Sequence, residues 1–318
     1  MTTRIVFLDA STVDYGDMDM SPLSQIGWYH DYPVSSHEET ITRLRDAEVA
    51  ITNKTLIDRA VLERCPNLKF IAVAATGYNN IDTLTARQRS IAVANVPGYS
   101  TTSVAQLTMT FLLALSTNLI SYAEAARNGS WSLSPIYTLG TWPTFDLKDR
   151  TLGILGLGAI GREVARLASA FGMKVVALKR DGVSYPDEIP RLKLHSLAEC
   201  SDFVSLHMPL TAENRHIINR DFFNHMKREG FLINMARGPL VNPADLCEAL
   251  HAGTIKGAAL DVMEKEPPDA DDPLLSAPRL ILTPHIAWAS LESRKRLVRE
   301  IADNISSFLQ GKERNIVN

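Results

Sequence analysis

Leu152-Gly153-Ile154-Leu155-Gly156-Leu157-Gly158-Ala159-Ile160-Gly161 is the stretch from which the fold of this chain can be read. Its first half is a short apolar run that ends in glycine, the pattern of a buried strand. Beyond it, Val164, Leu167, Ala168 and Phe171 recur at helical spacing across residues 162–171. Between strand and helix stand Gly156, Gly158 and Gly161, a G-x-G-x-x-G turn. In that setting the first glycine permits the tight turn and the second lets a ligand approach the main chain. The third allows the helix to pack closely on the strand. A helix N-terminus presents unpaired N–H groups and the positive end of its dipole, so the turn is suited to the pyrophosphate of a dinucleotide. Ala159 and Ile160 lie in the same turn and join the three glycines as candidate cofactor contacts.

Working outward, β-branched or apolar runs alternate with helical periodicity along the whole chain. One series falls at residues 5–8, 49–52, 70–74 and 91–96; a second falls at 152–155, 174–178, 203–206, 231–234, 258–261 and 280–283. Strands alternating with helices predict parallel sheets covered on both faces, a doubly wound α/β architecture. A length of 318 residues suits two such domains. A helical stretch from near Ser103 (Val104, Leu107, Phe111, Leu115, Ile120) and a loop holding Trp131, Pro135, Gly140, Trp142 and Pro143 separate the two series. A final helix (Leu291, Leu297, Val298, Ile301, Ile305, Phe308) follows the last strand and is free to return to the first domain.

Composition narrows the function classes. With 45% hydrophobic and 22% charged residues the chain is globular, and Lys+Arg 33 against Asp+Glu 36 gives no electrostatic case for nucleic acid or an anionic membrane. The apolar block at residues 111–115 is far short of a bilayer span. Cys65, Cys200 and Cys247 are scattered, with no metal-ligand spacing, and read as reduced, mostly buried thiols of a cytoplasmic protein without a metal site.

The strand after the fingerprint, residues 174–178, should end in an acid that holds the adenine ribose diol. Lys179 stands there instead, followed by Arg180 and Asp181. Two cations at that place attract a 2′-phosphate, which favours NADP, while Asp181 leaves NAD usable.

Three later segments carry chemistry at strand ends. Arg237 follows the strand at 231–234, Asp261 closes the next with Glu266 before two prolines, and His285 follows the last. Ligands bind outside the carboxyl ends of the strands in such sheets, so these residues belong to one crevice. Arg offers a planar fork that can hold a carboxylate and polarise a neighbouring carbonyl. His is the natural proton donor near neutral pH, and an adjacent Glu favours the imidazolium and orients the ring. His30, His37, His195, His216, His225 and His251 lack such company and read as ordinary structural or surface residues.

With those residues in view, the chain resembles the D-isomer-specific 2-hydroxyacid dehydrogenases over nearly its whole length. The carriers are the glycine turn, His207-Met208-Pro209-Leu210-Thr211, Asn234-x-Ala236-Arg237-Gly238, Asp261-Val262-x-x-x-Glu266-Pro267 and Pro284-His285-Ile286-Ala287. The resemblance implies His285 as acid/base, Glu266 as its partner and Arg237 as the substrate-binding Arg. It implies Asp261 beside the nicotinamide carboxamide, with Thr101, His207, Pro209, Thr211 and Ala236 also at the cofactor. Thr76 and Gly77 would offer N–H groups to the substrate carboxylate. It further implies a discontinuous flavodoxin-like substrate domain (1–100 with 288–318), a Rossmann dinucleotide-binding domain (101–287) and a homodimer. Residues 75–82 and 284–290 look most like glycerate dehydrogenases, also called hydroxypyruvate reductases, so the expected substrate is a small 2-keto or 2-hydroxy acid. The alternative is a dinucleotide-sensing corepressor-like binding protein on the same fold.

Overall fold

A computed structural model describes residues 2–180, 182–183 and 188–318. The chain divides into two compact units, residues 1–100 with 288–318, and residues 101–287. It passes from one to the other at Ser100/Thr101 and back at Ala287/Trp288.

Unit 1 is a five-stranded parallel sheet of β1 (Arg4–Phe7), β2 (Trp28–Asp31), β3 (Val49–Thr52), β4 (Phe70–Val73) and β5 (Ala92–Ala94). Their order is β2-β1-β3-β4-β5, the flavodoxin-like arrangement. Every residue of β3 and β4 is buried, as expected for central strands covered on both faces. On one face lie α2 (His37–Leu44), α3 (Arg59–Arg64) and α4 (Thr83–Gln88), contributing Ile41, Leu44, Val61, Leu62 and Ala86 to the core. Each helix begins at a side-chain cap that accepts a main-chain N–H: Ser36 with Glu39 in a capping box, Asp58, and Asp82. The other face is covered by α1 (Ser21–Ser24) and by the terminal helix α11 (Leu291–Leu309), whose Leu297, Val298, Ile301 and Ile305 are buried with Phe7, Ile51 and Phe70. Arg294 of α11, 4% exposed, forms a bidentate pair with Asp17 at 2.6 and 2.7 Å. Beyond α11 the tail lies along β5, with Ile316 bridged antiparallel to Ala94 and Val317 N–H donating to Val93 O. That pairing covers an otherwise open sheet edge.

Unit 2 is a seven-stranded parallel sheet of β6 (Thr151–Leu155), β7 (Lys174–Leu178), β8 (Arg191–Leu192), β9 (Phe203–Leu206), β10 (Phe231–Asn234), β11 (Gly257–Leu260) and β12 (Leu280–Leu282). The order β12-β11-β10-β9-β6-β7-β8 turns in opposite directions on the two sides of β6, a doubly wound Rossmann sheet whose switch point lies between β6 and β9. One face is covered by α5 (Thr101–Thr117) and α7 (Ala159–Ala170), with Val104, Leu112, Val164 and Ala168 in the core. The opposite face is covered by α8 (Leu194–Cys200), α9 (Arg220–His225) and α10 (Pro243–Ala252), with Leu197, Phe222 and Leu246. The axis of α5 breaks at Asn118, which is left-handed at φ 50°, and α6 (Leu119–Arg127) continues at 65° to it. The apolar side of α5 is spent on the unit 2 core. Among the described residues no single helix is long and apolar enough to cross a membrane.

Two strands have no counterpart in the sequence reading, β2 and β8. Both lie at sheet edges, and β2 (Trp-Tyr-His-Asp) is largely exposed, so neither carries an apolar run. The helix placed near Ser103 begins two residues earlier. Of the three free cysteines only Cys65 is buried outright; Cys200 and Cys247 are half-buried. Burial pushes the Cys65 thiol up to about 11.

Ile301 has no exposed surface in the core formed by α11 and the sheet. Ile301→Ala should therefore cost about 2–5 kcal/mol, read as a lower urea midpoint. An unchanged midpoint would show that α11 is not part of the unit 1 core.

Candidate active site

The carboxyl ends of β6, β9, β10, β11 and β12 form one edge of the unit 2 sheet, and nearly every sequence-predicted residue of this unit lies there. At β6 the glycine turn has the tightness its sequence implies. Gly156 adopts φ 104°, and a Cβ there would stand 2.6 Å from His207 C and O. A Cβ on Gly161 would meet Gly156 O at 2.1 Å, so the helix can approach the strand only without a side chain. Gly158 faces open space, with no atom within 4 Å of a built Cβ. It is also the N-cap of the twelve-residue α7 and supplies no side-chain cap. An uncapped helix start beside open space, formed by Gly158, Ala159, Ile160 and Gly161, fits the pyrophosphate of a dinucleotide.

At the end of β9, His207 Nε2 is 2.8 Å from Ser205 Oγ, while its buried Nδ1 meets no hydrogen-bond partner among the described residues. Desolvation without a compensating charge pushes this imidazole down to about 3, so it is neutral. The next residues close on themselves: Thr211 N–H donates to Asn214 Oδ1, and Asn214 Nδ2 donates to Pro209 O. At the end of β7, Lys179 donates its main-chain N–H to Leu192 O, and the side chains of Lys179 and Arg180 are exposed. Asp181, weighed as a partner for the ribose, lies outside the described residues.

At β10, buried Asn234 braces the turn that presents Arg237. Its Oδ1 accepts from Ala236 N–H and its Nδ2 donates to Arg237 O. Arg237 Nη1 donates to Ala236 O at 2.7 Å. Gly238 is pressed against the neighbouring loop, where a Cβ would fall 1.9 Å from Met263 O, so the turns after β10 and β11 are in contact.

At β11 and β12 the wiring is tighter. Asp261, 1% exposed, accepts from Thr283 Oγ1 and Ile286 N–H on Oδ1 and from Ala287 N–H on Oδ2. Burial raises its carboxyl above the usual range, against the opposing pull of those three hydrogen bonds and the nearby His285. The loop it anchors carries His285 in the left-handed region at φ 55°, where a non-glycine residue is strained. Glu266 places Oε2 2.6 Å from His285 Nδ1 and accepts from Met263 N–H on Oε1. Glu264, two residues earlier, is instead engaged by Arg215 and His216. With Nδ1 held by the carboxylate, His285 keeps Nε2 for a substrate oxygen.

Thr101 opens α5 in unit 2. Thr76 and Gly77 belong to unit 1, in the turn after β4, where Thr76 Oγ1 donates to Val96 O and Asn95 Nδ2 donates to Thr76 O. The sequence reading gave no role to Asn234, Thr283 or Ser205. A polar side chain closing an apolar strand was the available signal for the first.

A glycine-rich uncapped helix start and an Arg, Glu and His at successive strand ends define a dinucleotide-dependent oxidoreductase site. The comparisons with known proteins identify which. The family model "D-isomer specific 2-hydroxyacid dehydrogenase, NAD binding domain" matches residues 109–287. The chain is 38% identical to a hydroxypyruvate reductase of Blautia hydrogenotrophica, covering 99% of both chains. It is 36% identical to a glycerate dehydrogenase of Methylorubrum extorquens over 100% of this chain and 99% of the other. Among solved structures, an NADPH-dependent glyoxylate/hydroxypyruvate reductase of Sinorhizobium meliloti superposes with TM-score 0.84 at 28% identity, covering 99% and 97% of the two chains. The chain belongs to the D-isomer-specific 2-hydroxyacid dehydrogenase family and is an NAD(P)-dependent 2-hydroxyacid oxidoreductase.

The His207 geometry has a measurable consequence. An unfolded imidazole titrates near ~6.5, so stability tied to neutral His207 is complete above that pH and is lost as pH falls toward about 3. Between about pH 7 and about pH 5, wild type should lose roughly 2 kcal/mol more than His207→Gln in urea unfolding. Parallel pH profiles would show that His207 titrates alike in the folded and unfolded chain.

Proposed function

We propose that this enzyme reduces short 2-keto acids, hydroxypyruvate and glyoxylate foremost, to D-glycerate and glycolate. The observation that carries the reading is the His285–Glu266 pair at 2.6 Å, on a loop set rigidly by Asp261, with Arg237 on a neighbouring strand end. When bound, the nicotinamide supplies the hydride. His285 gives a proton from Nε2 to the substrate carbonyl oxygen, and Glu266 holds Nδ1–H and offsets the imidazolium charge. Arg237 pairs its planar fork with the substrate carboxylate and draws on the carbonyl beside it. The substrate class is supported by the names of the relatives above, which are reductases or dehydrogenases of small hydroxy acids.

The active form is proposed to be a homodimer formed through unit 2. Leu119 and Ile120 of α6 and Trp131, Leu133, Ile136 and Tyr137 of the following loop are bare, Tyr137 to 91%. Apolar side chains exposed in such a run mark an association surface.

His285→Gln should lower kcat for hydroxypyruvate reduction by about 10²–10⁴-fold while dinucleotide affinity, read by fluorescence titration, is kept. Near wild-type turnover would remove His285 from the chemistry.

Lys179 and Arg180 follow β7, where an acid would repel a 2′-phosphate, and both side chains are exposed to receive one. NADPH should therefore be preferred. A charge-assisted bond is worth roughly 1.5–3 kcal/mol, so the kcat/KM ratio should favour NADPH by about tenfold or more. Lys179→Asp with Arg180→Ser should reverse it. A wild type that favours NADH, with a ratio unmoved in the double variant, would sink the assignment.

A further inference from the structure

On the outer layer of unit 2, away from the glycine turn and the strand-end loops, α8 and α9 bring together three side chains with metal-binding atoms: His195, Asp221 and His225. Asp221 and His225 are one turn apart on α9, and the packing of α8 against α9 brings His195 to them. One ligand atom from each lies within 4.8 Å of the others. The two imidazole rings are parallel, with centroids 4.0 Å apart and planes 10° apart. Asp221 Oδ2 is 3.0 Å from His195 Nε2, and Asp221 Oδ1 is 3.7 Å from His225 Nδ1.

The protons on this cluster can be assigned. His225 Nδ1 is 2.8 Å from the main-chain oxygen of Asp221, one helical turn back. A carbonyl oxygen only accepts, so this contact places the proton on Nδ1 and leaves Nε2 as a lone-pair donor. Ligating imidazoles are commonly oriented in this way. On His195, Nε2 faces the Asp221 carboxylate at 3.0 Å, and because a carboxylate only accepts, this nitrogen carries a proton that it gives up when a cation binds. Once one ring turns out of the present stack so that its in-plane lone pair points at the ion, two imidazole nitrogens and one carboxylate make a three-donor set, to which solvent adds a fourth ligand. Imidazole pairs select borderline cations such as Zn²⁺ or Ni²⁺, whereas Mg²⁺ and Ca²⁺ call for all-oxygen shells. The side chains of His195, Asp221 and His225 retain 49, 65 and 32% of their exposure, so an ion could enter and leave from solvent without opening the fold.

We propose that His195, Asp221 and His225 form an exchangeable site for a divalent transition cation, which ties α8 to α9. The helices precede β9 and β10, which pair in register from Phe203↔Phe231 to Leu206↔Asn234. A cation across them therefore braces one outer layer of the dinucleotide-binding unit. Its effect is on stability, since none of the three residues lies at the strand ends that carry Arg237, Glu266 or His285.

The test uses the full chain, stripped with chelator and desalted, with ZnCl₂ as the probe in calorimetric titration and thermal unfolding. Wild type should take up one Zn²⁺ per chain saturably and unfold at higher temperature with zinc in excess, by mass action on the folded state. His195→Ala and His225→Ala should each weaken binding by about tenfold or more and abolish the thermal shift. Asp221→Asn should weaken it less, and His195→Gln serves where the alanine variant folds poorly. Dinucleotide affinity, measured in parallel, should not change. Cys247 and His251 on α10 are the competing donors, with Sγ 3.6 Å from Nδ1, so Cys247→Ser with His251→Ala should leave zinc uptake intact. Absence of saturable binding overturns the proposal. So does equal affinity in the His195 and His225 variants, or loss of binding only in the Cys247/His251 variant.

Discussion

The carboxylate of Asp261 sets the geometry on which the chemistry of this enzyme rests. It sits at the end of β11 and gathers a hydroxyl and two main-chain N–H groups from the segment after β12. The residue enclosed by those bonds is His285, in a left-handed conformation that a free loop would leave at once. Burial holds the carboxyl above the usual range, and the donors around it offset only part of that cost. The imidazole is therefore aimed by a main chain that cannot relax, and Glu266 has only to hold the ring from its far side. The bracing of Arg237 follows the same plan, with Asn234 in place of Asp261 and a glycine where the two loops touch. Held in this way, the proton donor and carboxylate clamp proposed for His285 and Arg237 meet the requirement that catalytic groups be positioned before the substrate arrives.

Much of this was legible in the sequence, because the informative signals are local. The strand, glycine turn and helix at residues 152–171 form one continuous pattern, and Arg237, Asp261 and His285 each stand a few residues past an apolar run. Glu266 was singled out by its place before two prolines, while nothing in the sequence showed where Glu264 would turn; in space the two have entirely different partners. What sequence could not supply was anything depending on contacts between distant segments. The edge strands β2 and β8 exist because neighbouring strands offer free N–H and C=O groups, and their own side chains carry no periodic mark. The neutrality of His207 comes from burial of Nδ1 and cannot be guessed from the residue type. His195 joins Asp221 and His225 only when two helices pack on the same face of the sheet.

Cofactor choice and fold are separable in this architecture. The glycine turn and the start of α7 serve the pyrophosphate, which NAD and NADP share, and their demands are steric: a Cβ at Gly156 or Gly161 would collide with main chain. Lys179 and Arg180 lie past the end of β7 with exposed side chains, where charge can change without disturbing a core. One position is thus held by packing, whereas at the other a change of charge leaves the fold intact.

The path of the chain bears on how the molecule is made. Unit 2 is inserted into unit 1, and the helix that completes the unit 1 core, α11, is synthesised after the whole of unit 2. During translation the first hundred residues emerge with the α11 face of their sheet uncovered, while every residue of unit 2 becomes available before α11 does. Domains generally fold as units in the order in which they are completed. The dinucleotide-binding unit is therefore able to fold on the ribosome while its host still waits, and the nascent chain must carry an exposed apolar sheet face across the synthesis of some two hundred residues. Emergence of α11 is the event that lets the first-made strands bury their second face.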